Sequence, residues 1–249
     1  MPLFLQRQIN TIKKMLLNLG TACEEQVRDS IRCVVERDVE LAEQVIAGDQ
    51  RIDLMEIDVE EECLHTLALH QPVAFDLRYV VAVLKMNNDL ERIGDHAKSI
   101  AEQAKYLAGE GQVDVLPLDL QGMSTRAEQM LRKALDAVVN IDVELAREVR
   151  VQDDEVDIMH AGMYGRALEL IRANPDQAEQ MIHFVNISRQ LERIADHACN
   201  IAKDVLYITE GEIPRHGRLR RALTQARAEA QAQLEVDPTA DLRPNHDLG

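Results

Sequence analysis

Tryptophan is absent from the 249 residues, aromatic residues together make up only 3%, and glycine numbers 11. What remains is rich in Leu, Ala, Val, Glu and Arg, the composition of long packed helices, and the chain is read as all-α. Cysteine is equally sparse. Cys23, Cys33, Cys63 and Cys199 form no C-x-x-C pair and lie within helical patterns, which excludes a disulfide framework and a thiolate zinc site. Buried free thiols in a reducing compartment are expected. Long apolar runs are missing as well, and the opening Met1-Pro2-Leu3-Phe4-Leu5-Gln6-Arg7 turns polar too soon for a secretory signal, so a soluble cytoplasmic protein is expected. Cations fall short of anions, 28 Lys and Arg against 44 Asp and Glu, for a formal net charge of −16. The segment Gly211–Gly249 holds six of each sign, so the excess sits on the rest of the chain. Such a surface repels nucleic acid and anionic lipid headgroups, excludes direct DNA binding, and favours metal cations or basic protein surfaces. A phosphate-cradling glycine loop, a serine nucleophile elbow and a Cys with His pairing are all missing, and the chain is read as not an enzyme.

What the chain does have is a segment written twice. Leu90-Glu91-Arg92-Ile93-Gly94-Asp95-His96-Ala97 returns as Leu191-Glu192-Arg193-Ile194-Ala195-Asp196-His197-Ala198. Upstream, Asp38-Val39-Glu40-Leu41-Ala42 returns as Asp142-Val143-Glu144-Leu145-Ala146, each followed by aspartates four apart: Asp49 and Asp53, then Asp153 and Asp157. A duplicated core needs only apolar residues at the right period, so duplicated acidic pairs ask for a chemical reason.

Each half reads as three helices. In the first half a helix over about Leu5 to Arg37 carries the stripe Ile12, Met15, Leu16, Leu19, Cys23, Val27, Ile31 and Val34, a second runs through the aspartate pair, and a third spans about Val73 to Leu107. Their counterparts are about Gly122–Asn140, Asp153–Ala173 and Asp176–Thr209. Asp38 and Asp142 are read as N-caps, and Pro72 and Pro175 as first-turn prolines of the third helices. Short connections make neighbours antiparallel, giving two tandem three-helix bundles from an internal duplication. The expected layout is repeat 1 over 1–110, a linker over 111–120 containing Pro117, repeat 2 over 121–212, and a polar, flexible tail over 213–249 that opens with the basic run Arg215 to Arg221.

Residues four apart share a helix face, so each pair aims two carboxylates at one place, and packing of the second helix on the third gathers four. Asp49, Asp53, Glu91 and Asp95 in the first half, and Asp153, Asp157, Glu192 and Asp196 in the second, are the expected metal ligands. Carboxylates suit Mg, Mn, Fe or Zn and bridge ions in a multinuclear site. The competing reading is an acidic face that only keeps the helices soluble, with Arg92 pairing Asp89 or Asp95. His96 and His197 lie about 100° off the aspartate face and are read as packing groups or outer partners of the ligands. A ferritin-like di-metal oxidase would need Glu-x-x-His, and Gly94 and Ala195 occupy those histidine positions.

Gln71-Pro72-Val73-Ala74-Phe75-Asp76-Leu77-Arg78, then Asn88-Asp89-Leu90-Glu91-Arg92-Ile93-Gly94-Asp95-His96-Ala97, resemble the PhoU family of phosphate-uptake regulators over about residues 5–212. The resemblance implies two similar three-helix bundles and multinuclear metal clusters on the Glu/Asp-x-x-x-Asp pairs named above. It also implies a cytoplasmic accessory protein linking the ATPase subunit of the Pst phosphate ABC transporter to the PhoR sensor histidine kinase and repressing the phosphate-starvation response. Membrane contact would then come only through protein partners, and a homodimer is left open. The second repeat departs from the pattern at Asn174-Pro175-Asp176-Gln177-Ala178. Two alternatives stand beside this reading: a carboxylate-bound multinuclear-metal enzyme, and a metal-free helical scaffold.

Overall fold

The computed structural model describes residues 3–109 and 119–211, and there it contains six long helices and no strand. They are α1 (Leu3–Glu36), α2 (Val39–His70), α3 (Ala74–Gly109), α4 (Leu120–Asn140), α5 (Val143–Ala173) and α6 (Ala178–Glu210). Of the expected 111–120 linker, residues 111–118 with Pro117 lie outside the described residues, as do the tail from 213 with Pro214 and the Arg215 to Arg221 run; the last two linker positions, Asp119 and Leu120, cap and open α4.

The reversals between the first two helices of each half follow one local recipe. Arg37 (φ 55°) and Ile141 (φ 52°) take the left-handed conformation that ends a helix, and the next residue's N–H, of Asp38 or Asp142, reaches back to Cys33 O (3.2 Å) or Ala137 O (2.9 Å). The aspartate then caps the next helix: Asp38 Oδ1 accepts from Leu41 N (2.9 Å) and Asp142 Oδ1 from Leu145 N (3.0 Å). One residue thus closes the first helix and opens the second. Because Asp142 is that cap, α5 begins at Val143 rather than at Asp153, and Ala146 and Val149 in the added turns are buried. The prolines behave differently from expectation. Pro72 lies two residues ahead of α3, after Gln71 has ended α2 at φ 44°, whereas Pro175 opens a short 3₁₀ turn, Pro175–Gln177, ahead of α6.

Each half is a three-helix unit, but the two do not keep separate cores. Among the described residues the most extensive helix pairing is α3 with α6, between the halves, and α1 also packs on α4. The described residues form one compact unit with a single continuous apolar core. A Cβ on Gly20 of α1 would stand 2.7 Å from the Leu135 methyls of α4, so that glycine sets the close approach of the two helices. Lys13 Nζ donates to Val139 O (2.5 Å) and Arg78 Nε to Ile208 O (3.0 Å), tying the halves further.

Polar contacts run through the α3 and α6 contact in pairs that the duplication relates. His197 Nδ1 lies 2.7 Å from Asp89 Oδ1, and His96 Nδ1 lies 2.8 Å from Gln190 Oε1, Gln190 being the second-half equivalent of Asp89. The two imidazoles stand 5.4 Å apart. Burial, then the neighbouring His197, pushes His96 down to about 4, so it packs as a neutral ring. Both histidines therefore join the halves and do not support the carboxylates. Helices α2 and α5 lie on the outside: among the described residues α2 packs only on α1 and α3, and α5 only on α4, α6 and the 3₁₀ turn. All four cysteines are buried and free.

Candidate functional site

The duplicated carboxylates face one another across α2 and α3 in the first half and across α5 and α6 in the second. Ile93, Ala97, Ile100 and Ala104 form the buried seam of α3, and Glu91 and Asp95 stand beside it, half-buried, toward α2. On α2, Ile52 plugs the same seam while Asp49 is almost wholly buried, at 3% exposure, and Asp53 is exposed one turn on. The helices meet closely here because of Gly94, where a Cβ would stand 3.0 Å from Ile52 Cδ1 and 3.5 Å from Asp49 Oδ1.

Proximity shows in the protonation behaviour. Loss of hydration, then the charges of Asp49 and Asp95, raise the Asp53 carboxyl above the ordinary range. Glu91 is raised by desolvation and then by Asp95. In the second half Asp153 is raised by desolvation against a hydrogen bond from Cys199, and Glu192 by desolvation and then by Asp196. Four carboxylates per half thus share one electrostatic neighbourhood.

The two sets are balanced differently. In the first, Lys98 Nζ sits 2.7 Å from Asp49 Oδ2, and Arg92 pairs with Asp95 (3.2 Å) and Glu91 (3.4 Å). Arg92 thus takes Asp95 rather than Asp89, which belongs to His197. In the second set the position of Lys98 is taken by Cys199, and among the described residues Asp157, Glu192 and Asp196 form no ion pair. The sequence reading passed over Lys98, although its signal was present in the mismatch of Lys98 with Cys199 inside the repeated segment. It also passed over a matched polar pair: Asn87 Nδ2 donates to Glu56 Oε1 (3.0 Å), and the equivalent Ser188 Oγ lies 2.9 Å from His160 Nδ1. Glu56 extends the acidic ridge of α2 one turn past Asp53, and its carboxyl is raised by desolvation, then by Glu60 and Asp53.

The donor chemistry of both sets suits a hard cation, since the oxygens are anionic and crowded against like charge. The side chains do not close into a cage: among the described residues no group of three or more His, Cys, Asp or Glu is gathered in a metal-holding arrangement. With Lys98 and Arg92 on its carboxylates, the first set is held by the protein's own cations. No helix of the described residues is long and apolar enough to cross a membrane.

Both repeats match the PhoU domain family model, at residues 16–104 and 120–205. A protein of Pseudomonas putida described as "Phosphate-specific transport system accessory protein PhoU homolog" is 33% identical over 228 residues, covering 92% of this chain and 89% of that one. A Pseudomonas aeruginosa protein of the same description is 34% identical over 86% of this chain and 88% of its own length. The crystal structure of PhoU from Pseudomonas aeruginosa superposes with a TM-score of 0.80 at 33% identity, over 83% of this chain and 99% of that one. The phosphate transport system regulatory protein PhoU from Streptococcus pneumoniae gives 0.76 at 27% identity, over 84% and 98%.

Proposed function

The chain belongs to the PhoU family, and from that membership we propose that it is a cytoplasmic, non-enzymatic negative regulator of phosphate uptake and of phosphate-starvation signalling. In this reading it is a metal-binding adaptor that docks on the ATPase subunit of a phosphate ABC transporter and on a sensor histidine kinase. The observation that carries it is the match of both repeats, over nearly the whole helical body, to proteins described as accessory to phosphate-specific transport. The helical architecture supports docking as the mode of action: two outer helices, α2 and α5, each leave a long face free of the rest of the described body. Asp49, Asp53, Glu91 and Asp95, and Asp153, Asp157, Glu192 and Asp196, would hold cations such as Mg, Mn, Fe or Zn. A bound cation would supply charge neutralisation between α2 and α3 and between α5 and α6, stiffening each pair of helices.

Deleting the gene tests the regulatory reading. A phosphate-starvation promoter fused to a reporter should switch on in phosphate-rich medium in the deletion strain and fall silent again when the gene is restored. An unchanged reporter in the deletion strain would refute it.

A further inference from the structure

Half of the chain's net charge collects on one helix. Helix α2 holds nine Asp and Glu against Arg51 alone, a formal −8 where the whole chain carries −16. Its counterpart α5 has seven acids against four arginines, a formal −3. The same helix breaks the rule that apolar side chains turn inward. Ile52, Val59 and Cys63 are buried, while Leu54, Ile57 and Leu64 on the opposite side are 65%, 47% and 52% exposed. Positions 54, 57, 61 and 64 follow the alternating three and four spacing of a seam that receives another helix, with Glu61 the one charged member. Because α2 packs only on α1 and α3, no other described element covers this seam.

We propose that the outer face of α2 is a docking strip for a cationic amphipathic helix of a partner protein. The seam of Leu54, Ile57 and Leu64 receives apolar residues at heptad spacing, and Glu61 within the seam and Asp58 beside it receive Lys and Arg. Charge chooses this occupant over the others. A second copy would lay a helix of −8 against another of −8, and nucleic acid or an anionic bilayer carries the wrong sign. The strip rests on the adaptor reading above and gives it a surface and a partner chemistry.

The test uses the purified full chain and a fluorescein-labelled synthetic peptide with Leu at heptad positions a and d and Lys and Ala elsewhere, followed by anisotropy. Wild type should bind this peptide about tenfold tighter than a scrambled peptide of the same composition, and added salt should weaken it. Leu54→Gln, Ile57→Gln and Leu64→Gln together should weaken binding about tenfold or more, and Ile158→Gln with Leu168→Gln on α5 less than about twofold. The replaced side chains are exposed, so circular dichroism should show an intact fold. Should the triple variant unfold, Asp58→Lys with Glu61→Lys probes the same strip and should likewise weaken binding about tenfold or more. Equal binding of the scrambled peptide, retained binding by both α2 variants, or a wild-type dimer in sedimentation that the triple variant dissociates would each overturn the proposal. A chain that binds the peptide at α2 yet whose deletion leaves the starvation reporter silent keeps the strip and loses the regulatory reading.

Discussion

Lys98 changes what the first carboxylate set asks of a cation. Its ammonium already lies on the buried Asp49, so an incoming ion either displaces it or settles toward Asp53, Glu91 and Asp95, away from it. Asp53 and Glu91 are the two members whose carboxyls the fold raises, through lost hydration and acidic neighbours, and at neutral pH their charges work against the folded state. Neutralising these two leaves the Lys98 pair intact. In chelator, Asp53→Asn with Glu91→Gln should therefore melt no lower than wild type. Adding Mn²⁺ should raise the wild-type melting temperature, since binding to the native state alone stabilises it. Elemental analysis should find about half as much metal on the variant, the remainder held by Asp153, Asp157, Glu192 and Asp196. Equal metal on both chains, or none on either, would mark these residues as a solvated acidic face. The ligand types and their duplication were legible from the sequence. Their balance was not, because it depends on a lysine outside the acidic pattern that reaches across from α3 to α2.

At the scale of the element, the two halves solve one packing problem with two residue pairs. Where α2 meets α3 the pair is Ile52 and Gly94; where α5 meets α6 the equivalent pair is Val156 and Ala195, all four buried. A methyl group has in effect moved from one helix to the other while the total bulk is kept. Gly94→Ala gains about 1 kcal/mol of helix propensity but drives a Cβ to 3.0 Å from Ile52 Cδ1, and Ile52 at 1% exposure has nowhere to go. Overpacking of this kind costs about 1–3 kcal/mol, so Gly94→Ala alone should destabilise the chain in urea unfolding by about 1 kcal/mol. Ile52→Val with Gly94→Ala recreates the second-half pair and should recover wild-type stability or exceed it. A single variant as stable as wild type would show that α2 shifts freely on α3. Helix identity, the Asp38 and Asp142 caps and the buried cysteines were all readable beforehand, because capping and apolar periodicity are local. The entry to α3 was not, since Gln71 ends α2 in the left-handed conformation with no glycine to announce it; the start of α5 was legible in the Asp142 cap but was placed too late, at Asp153.

The largest gap between sequence and structure lies at the scale of the whole molecule. A repeat shows that two halves are alike, but leaves open whether each buries its own core or shares one with the other. The answer is written in α3 and α6, whose buried residues cover more than one side of each helix. On α3, Tyr79, Met86, Leu90, Ile93, Ala97 and Ile100 are all inside, and so are Asn87 and Asp89. One side meets α1 and α2; the other meets α6, where Asp89 takes His197 and Asn200, and Lys85 pairs with Asp204 at 3.3 Å. Severing the chain between Gly109 and Leu120 leaves those partners on separate fragments. Each isolated half would then expose a wide apolar helix face to water, and Asp89 would exchange His197 and Asn200 for solvent. Co-expressed halves should reassociate one to one and recover the helicity and melting temperature of the intact chain, whereas either half alone should self-associate or melt far lower. Asp89→Ala in the first fragment should weaken that reassociation without lowering the helicity of the fragment itself, since the aspartate's partners lie on the other half. Two halves that stay monomeric, melt cooperatively on their own and ignore one another in solution would instead mean that each repeat buries a core of its own.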